Sequence, residues 1–250
     1  MDRIILIETS TALCSTALAE DGKIVSKRES TTPRAHASLT ALFVQEMLDE
    51  RGIGVADCDA VCVSAGPGSY TGLRVGSSTA KGLCFGAGKP LIAVGTLEVL
   101  TAQAVCDGLI KPIDGGSAPI TTPDNSCDGL IKPIDYIIPM IDARRMEVYS
   151  AVFTPDGERL TEVEPTVVQE DSFKEWLEKG NVLFIGDGAL KCKDVIKSPR
   201  ASFVQCCPRA DAMLRPAMKE YKEKRFKDTA YFEPFYLKQF VATVSAKKLF

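Results

Sequence analysis

Few groups in this chain are placed to do chemistry. Glu8 closes the apolar run Ile4 to Ile7, and Asp142 closes the run Tyr136 to Ile141. Two carboxylates held at strand ends could bind a magnesium ion together with phosphate oxygens. Each also has an ordinary reading: Glu8 can hydrogen-bond Thr9, Ser10 or nearby amides, and Asp142 has Arg144 and Arg145 beside it as ion-pair partners. A third feature is the stretch Ala65 to Gly76, in which Gly66, Gly68 and Gly72 follow the buried run Ala60 to Ser64 and precede a helical segment. A strand, a glycine turn and a helix start can seat an anion on free amides. The same pattern also makes a structural corner where two backbones approach closely. Thr71 is the expected cap of the helix, and Arg74 and Lys81 on it are available to phosphate or to an acidic partner.

Other catalytic classes find little support. His36 is the one histidine, so a multi-histidine metal site within the chain is excluded. It lies at a helix start, with no serine or cysteine fixed to it by spacing as a nucleophile. Nine cysteines at irregular spacing, without a CxxC pair, read as reduced thiols rather than a disulfide framework. No catalytic residue, metal site or cofactor is therefore assigned; Glu8, Gly66, Gly68 and Asp142 stand as weak candidates for binding a cofactor.

The elements that hold these groups follow from periodicity. Ile4 to Ile7 is apolar on both faces, as a central strand requires, and two more strands at Cys14 to Ala19 and Ile24 to Glu29 are joined through Asp21-Gly22, a hairpin signal. The spacing predicts a helix over His36 to Glu50, ended by Gly52, with Leu39, Leu42, Phe43 and Met47 in one apolar stripe that Ala41, Val44 and Leu48 widen. So wide a stripe means burial between two layers or a second face covered by a partner. The helix from about Thr71 to Phe85 carries small residues, Gly76, Ser77, Ser78, Ala80 and Gly82, suited to close helix packing. A strand at Leu91 to Val94 and a helix from Thr96 to about Val105 complete a mixed-sheet α/β unit over residues 1–105.

Residues 106–135 read as an exposed, mobile connection containing a direct duplication, since Cys106 to Asp114 recurs unchanged as Cys127 to Asp135. A second unit, 136–250, repeats the plan: strands at Tyr136 to Ile141, Glu147 to Phe153 and about Arg159 to Glu164, a helix over Asp171 to Lys179, a strand at Val182 to Ile185, and a helix over roughly Pro208 to Lys224. With a charged fraction of 25%, a hydrophobic fraction of 45% and a net charge of −3, the chain has the composition of a soluble globular protein with no obviously basic face. The absence of a signal-peptide pattern or a membrane-length apolar run leads us to expect a cytoplasmic protein.

The chain resembles the TsaB (YeaZ) family, partner proteins in threonylcarbamoyladenosine modification of bacterial tRNA. The likeness is carried by Ile5 to Ser10 with Cys14 to Leu18, by Arg34-Ala35-His36, and most specifically by Gly66-Pro67-Gly68-Ser69-Tyr70-Thr71-Gly72-Leu73-Arg74-Val75-Gly76. It continues through Gly95 to Leu100, Asp142 to Tyr149 and, weakly, Glu233 to Lys238. It implies two ribonuclease-H-like subdomains of the actin, hexokinase and Hsp70 type. It also implies a non-catalytic subunit that pairs through its first subdomain with TsaD, the transferase acting on N6 of adenosine-37 in tRNAs that read codons beginning with A, and a third protein, TsaE, that supplies the ATPase. ATP would then be used through another subunit, tRNA would be met only within the complex, and a homodimer could form when TsaD is absent. The family usually has aspartate where this chain has Glu8, and the TsaD His-x-x-x-His pair has no counterpart here. On this reading the contact surface would draw on Leu39, Leu42, Phe43, Val44, Met47, Gly76 and Ala80. The alternative is an ATP-binding phosphotransferase or ATPase of the actin and hexokinase type.

Overall fold

A computed structural model describes residues 2–110 and 133–237. The first sheet has the order β3-β2-β1-β4-β5, built from β1 (Arg3–Glu8), β2 (Cys14–Glu20), β3 (Lys23–Ser30), β4 (Ala60–Ser64) and β5 (Leu91–Val94). β1 runs antiparallel to β2 and parallel to β4. Helix α1 (His36–Arg51) links β3 to β4, α2 (Tyr70–Ala87) links β4 to β5, and α3 (Thr96–Cys106) follows β5. β1 lies at the centre and is buried on both faces from Ile4 onward, whereas the edge strand β3 alternates exposed and half-buried residues.

The second unit repeats this topology. β6 (Tyr136–Asp142), β7 (Glu147–Ser150) and β8 (Glu164–Val167) form the antiparallel part, and β9 (Val182–Ile185) and β10 (Ala201–Val204) pair parallel beside β6. The order β10-β9-β6-β7-β8 matches that of the first sheet, with α4 (Lys174–Lys179), α5 (Ala189–Cys192) and α6 (Leu214–Lys222) at the corresponding positions. The chain is thus α/β, with two mixed sheets of matching topology and packed helices, as expected.

The last helix of each unit packs on the other unit's sheet. Leu97, Leu100 and Ala104 of α3 join a core with Ile137, Ile141, Phe153, Leu183 and Ile185. Met213 and Ala217, at the start and middle of the α6 segment, join Ile4, Leu6, Ala17, Cys62 and Ile92. Burial of these apolar side chains is what ties the halves together. Chain order and packing therefore part company after β10: the segment 210–237, expected with the second unit, lies against the first. Lys227 N–H bonds the Leu91 carbonyl at 2.8 Å on the β5 edge, and Phe235 N–H bonds that of Ala65 at 2.7 Å.

Several local expectations are corrected. The cap of α2 is Ser69, whose Oγ accepts the Gly72 N–H, not Thr71. α3 begins after Gly95 without a side-chain cap. The third strand of the second unit is Glu164–Val167 rather than 159–164, where Arg159 makes an isolated bridge with Phe153. It is an exposed edge strand holding Pro165, and it has no apolar alternation to mark it. The helix expected over 171–179 starts at Lys174, and that expected from 208 starts at Leu214, after a short 3₁₀ turn at Asp211–Met213. Most of the duplicated segment falls outside the described residues.

Candidate functional site

The carboxyl end of β1 is where the two halves and the glycine turn meet. Glu8 is fully buried there, its Oε1 accepting the Ser10 N–H at 2.6 Å. Burial pushes its carboxyl up to about 7, and hydrogen bonding from Ser10, Ser64 and Thr9 draws it only part way back. The Ser10 and Ser64 hydroxyls lie close enough to temper the shift without making well-formed bonds. Glu8 Oε2, Ser10 Oγ, Thr11 Oγ1, Ser64 Oγ and Thr96 Oγ1 are all buried without a geometrically sound partner. Ser10 and Ser64, just past the end of β1 and at the end of β4, lie against Glu8, so its surroundings are polar and buried.

The glycine turn is spent on packing. Ser69 N–H donates to the Ser10 carbonyl at 2.7 Å, and Thr9 Oγ1 donates to the Gly72 carbonyl at 2.9 Å. A Cβ on Gly68 would lie 2.5 Å from the Ser10 oxygen, and one on Gly72 would overlap the Thr9 oxygen outright. Gly66, which precedes the cis bond to Pro67, has φ of 103°, and a Cβ there would sit 2.7 Å from the Phe235 carbonyl. Two of the amides that could have received an anion are taken, the Ser69 N–H by the Ser10 carbonyl and the Gly72 N–H by Ser69 Oγ. Gly66, Gly68 and Gly72 thus build a close structural corner.

In the second unit Asp142 is partly exposed and paired with Lys191. Its Oδ1 accepts the Arg144 N–H at 2.8 Å, and its own N–H donates to Asp187 Oδ1 at 2.8 Å. Arg144 and Arg145 supply a backbone turn, and the cation on the carboxylate is Lys191. Asp187, at the end of β9, escaped the sequence reading; its position between two glycines at a strand end was the signal available. Burial raises its carboxyl to about 6, with the charge on Asp142 adding to the rise.

The remaining candidates are structural in placement. His36 Nε2 donates to the Thr11 carbonyl at 3.0 Å, tying the start of α1 to the loop after β1. Arg74 bonds the Tyr70 hydroxyl at 3.0 Å, and Lys81 holds the carbonyls of Ala230 and Phe232 at 3.0 and 3.1 Å. Of the proposed contact residues, Val44, Met47, Gly76 and Ala80 are buried inside the subunit, Gly76 against Val63 and Thr9. They are covered by the subunit's own side chains and sheet. Leu42 is 47% exposed, Leu39 and Phe43 are half-buried, and Phe85 on α2, unmarked in the sequence, is 87% exposed. Among the described residues no three His, Cys, Asp or Glu side chains group to hold a metal, and no helix is long and apolar enough to cross a membrane.

Known proteins place this architecture. Over 247 residues, 96% of this chain and 96% of the relative, the sequence is 29% identical to the tRNA threonylcarbamoyladenosine biosynthesis protein TsaB of Escherichia coli. The chain is similar to TsaB along its whole length. YeaZ from Pseudomonas aeruginosa superposes with a TM-score of 0.76 at 23% identity, over 95% of this chain and 100% of that one, and so has the same fold. Residues 24–122 match the family model of TsaD, tRNA N6-adenosine threonylcarbamoyltransferase. In keeping with this, the transferase of Agrobacterium fabrum is 44% identical over 81 residues, 32% of this chain and 22% of that protein. The TsaB likeness thus runs from end to end, whereas the transferase model matches residues 24–122 alone.

Proposed function

We propose that this chain works in threonylcarbamoyladenosine formation on tRNA as a non-catalytic subunit that binds and activates a TsaD-type transferase, with TsaE joining the pair and ATP used outside this chain. The observation that carries the reading is the filled corner at the end of β1: Gly68 and Gly72 rest on the Thr9–Ser10 backbone, and Phe235 covers Gly66. The Ser69 N–H there is taken by the Ser10 carbonyl and the Gly72 N–H by Ser69 Oγ. The end-to-end likeness to proteins named for this pathway supports the assignment. The contact surface is the outward side of α1 and α2, where Leu39, Leu42, Phe43 and Phe85 offer apolar area to solvent. The same side would close a homodimer when TsaD is absent.

The test is co-elution with TsaD of the double variant Leu42→Glu and Phe85→Glu, compared with wild type. Loss of the complex from a folded subunit is expected; unchanged co-elution would refute this placement.

A nucleotide-binding enzyme of the actin and hexokinase type has one observation in its favour, the buried unpartnered set Glu8, Ser10, Ser64 and Thr96. Calorimetry with magnesium and ATP separates the readings: saturable heat lost in Glu8→Gln supports the enzyme, and no heat supports the subunit.

A further inference from the structure

The segment 214–227 has a charge opposite to that of the rest of the chain. It carries Arg215, Lys219, Lys222, Lys224, Arg225 and Lys227 against two carboxylates, Glu220 and Glu223, in a protein whose net charge is −3. Both carboxylates are paired with Arg225. Glu220 is held below the usual carboxylate range by its hydrogen bond from Arg225, and the charges of Lys227 and Lys219 add to this. Among the described residues, no ion pair or hydrogen bond involves the side chains of the other five cations.

The geometry of α6 turns these cations outward. Leu214, Ala217, Met218 and Tyr221, at helical spacing, pack on the first sheet. Arg215, Lys219 and Lys222 occupy the exposed flank beside that stripe, and Lys224 and Lys227 continue toward the β5 edge, where Lys227 bridges Leu91. Helix energetics account for only part of this: lysines in the last turn suit the macrodipole, but Arg215 stands in the first turn, where a cation is disfavoured and no acidic residue offsets it. Phe226, 41% exposed with its ring 6.1 Å from that of Tyr221, places an aromatic face among the charges. Arg215 and Lys219 also line a groove of about 580 Å³ together with Glu220, and Glu98, Asp156 and Glu158 stand in the same groove, so the net-basic path is the solvent side of α6 and the turn after it, where Glu223 is paired with Arg225.

From this arrangement we infer that the outward face of α6 and the turn after it form a docking surface for the phosphate backbone of RNA. Cations at successive helical turns match a chain of phosphates, and the exposed ring suits an unstacked base. The inference rests on the proposed role in tRNA modification for its choice of polyanion, yet it is testable without TsaD.

The experiment is binding of an unmodified tRNA transcript to the full chain by fluorescence anisotropy, across a salt series. The wild type is compared with the triple variant Arg215→Gln, Lys219→Gln, Lys222→Gln and with a control that neutralises Lys174 and Lys193 on the second unit. Thermal melts check folding. Wild type and control are expected to bind with a steep salt dependence. The triple variant is expected to bind at least about tenfold more weakly, with a log–log slope shallower by roughly 2, as follows from losing about three phosphate contacts. Absence of tRNA binding by the wild type, equal binding by the triple variant, or a response to anionic vesicles instead of RNA would overturn the inference. Failure to co-elute with TsaD would leave this result intact and would bear only on the proposed subunit role.

Discussion

Thr9 and Gly72 lock the first strand to the start of the second helix: the Thr9 hydroxyl donates to the Gly72 carbonyl at 2.9 Å, while the Thr9 carbonyl fills the space a Cβ on Gly72 would need. Gly72→Ala must push α2 away from β1, and we expect it to cost roughly 2–3 kcal/mol, in the range of overpacked sites. Gly82, on the same helix with open space around its Cα, provides the contrast. Gly82→Ala should stabilise by about 0.5–1 kcal/mol. Chemical denaturation of the two variants checks both signs.

Glu8 sets the pH dependence. Its carboxyl is raised in the folded state to about 7 from an ordinary 4.5, so the folded state holds the proton more tightly. That contribution is complete below pH 4.5, declines as pH rises, and is gone above about 7. Glu8→Gln should therefore flatten the fall in stability between pH 5 and 8 and exceed wild type by up to about 3 kcal/mol at pH 8. Urea unfolding at several pH values measures it; an unchanged slope would show that Glu8 is not the group responsible. Asp187, raised to about 6, adds a smaller term of the same sign.

The buried side chain of Gln103 joins the units through two hydrogen bonds. Its Nε2 donates to the Cys207 carbonyl at 3.1 Å, its Oε1 accepts the Arg209 N–H at 3.0 Å, and Arg209 in turn clasps Asp107 at 2.6 and 3.1 Å. Gln103→Leu leaves two partly buried backbone groups unpaired and should cost about 1–2 kcal/mol. Because α3 and α6 each pack across the division between units, the loss should lower one cooperative transition rather than split it in two, as calorimetry would record.

The exposed side of α1 and α2 separates contact from core. Leu42→Glu and Phe85→Glu, at exposed positions, should keep the wild-type melting temperature, whereas Val44→Glu, which buries a carboxylate between α1 and the sheet, should unfold the subunit. Circular dichroism melts distinguish the two outcomes before any partner is added.

What could be read in advance followed the strength of local patterning. The meander, its Asp21-Gly22 turn and the strands that feed the glycine turns are marked by doubly apolar runs, and Gly52 ends α1 with φ of 64° as its position suggested. β8 and β10, exposed or only half-buried, have no such pattern, and α5, four residues long, is set by its neighbours. The glycine turn was visible, but its meaning was not. Whether Gly68 and Gly72 face a phosphate or Thr9 and Ser10 depends on contacts some sixty residues apart. For the same reason Val44 and Met47 shared a stripe with Leu42 in sequence, although the sheet covers one edge of that stripe and leaves the other to solvent.

The central claim is that this chain acts through a partner and not through an active site of its own. It is tested most directly by tRNA modification reconstituted from this protein, TsaD, TsaE, ATP and threonylcarbamoyl-adenylate, omitting each component in turn, with wild type set beside Glu8→Gln with Asp142→Asn and beside Leu42→Glu with Phe85→Glu. The account predicts modification that requires this chain, survives loss of the two carboxylates and fails with the surface pair. Modification that proceeds without the chain, or that is abolished by removing the carboxylates from a subunit still bound to TsaD, would contradict it.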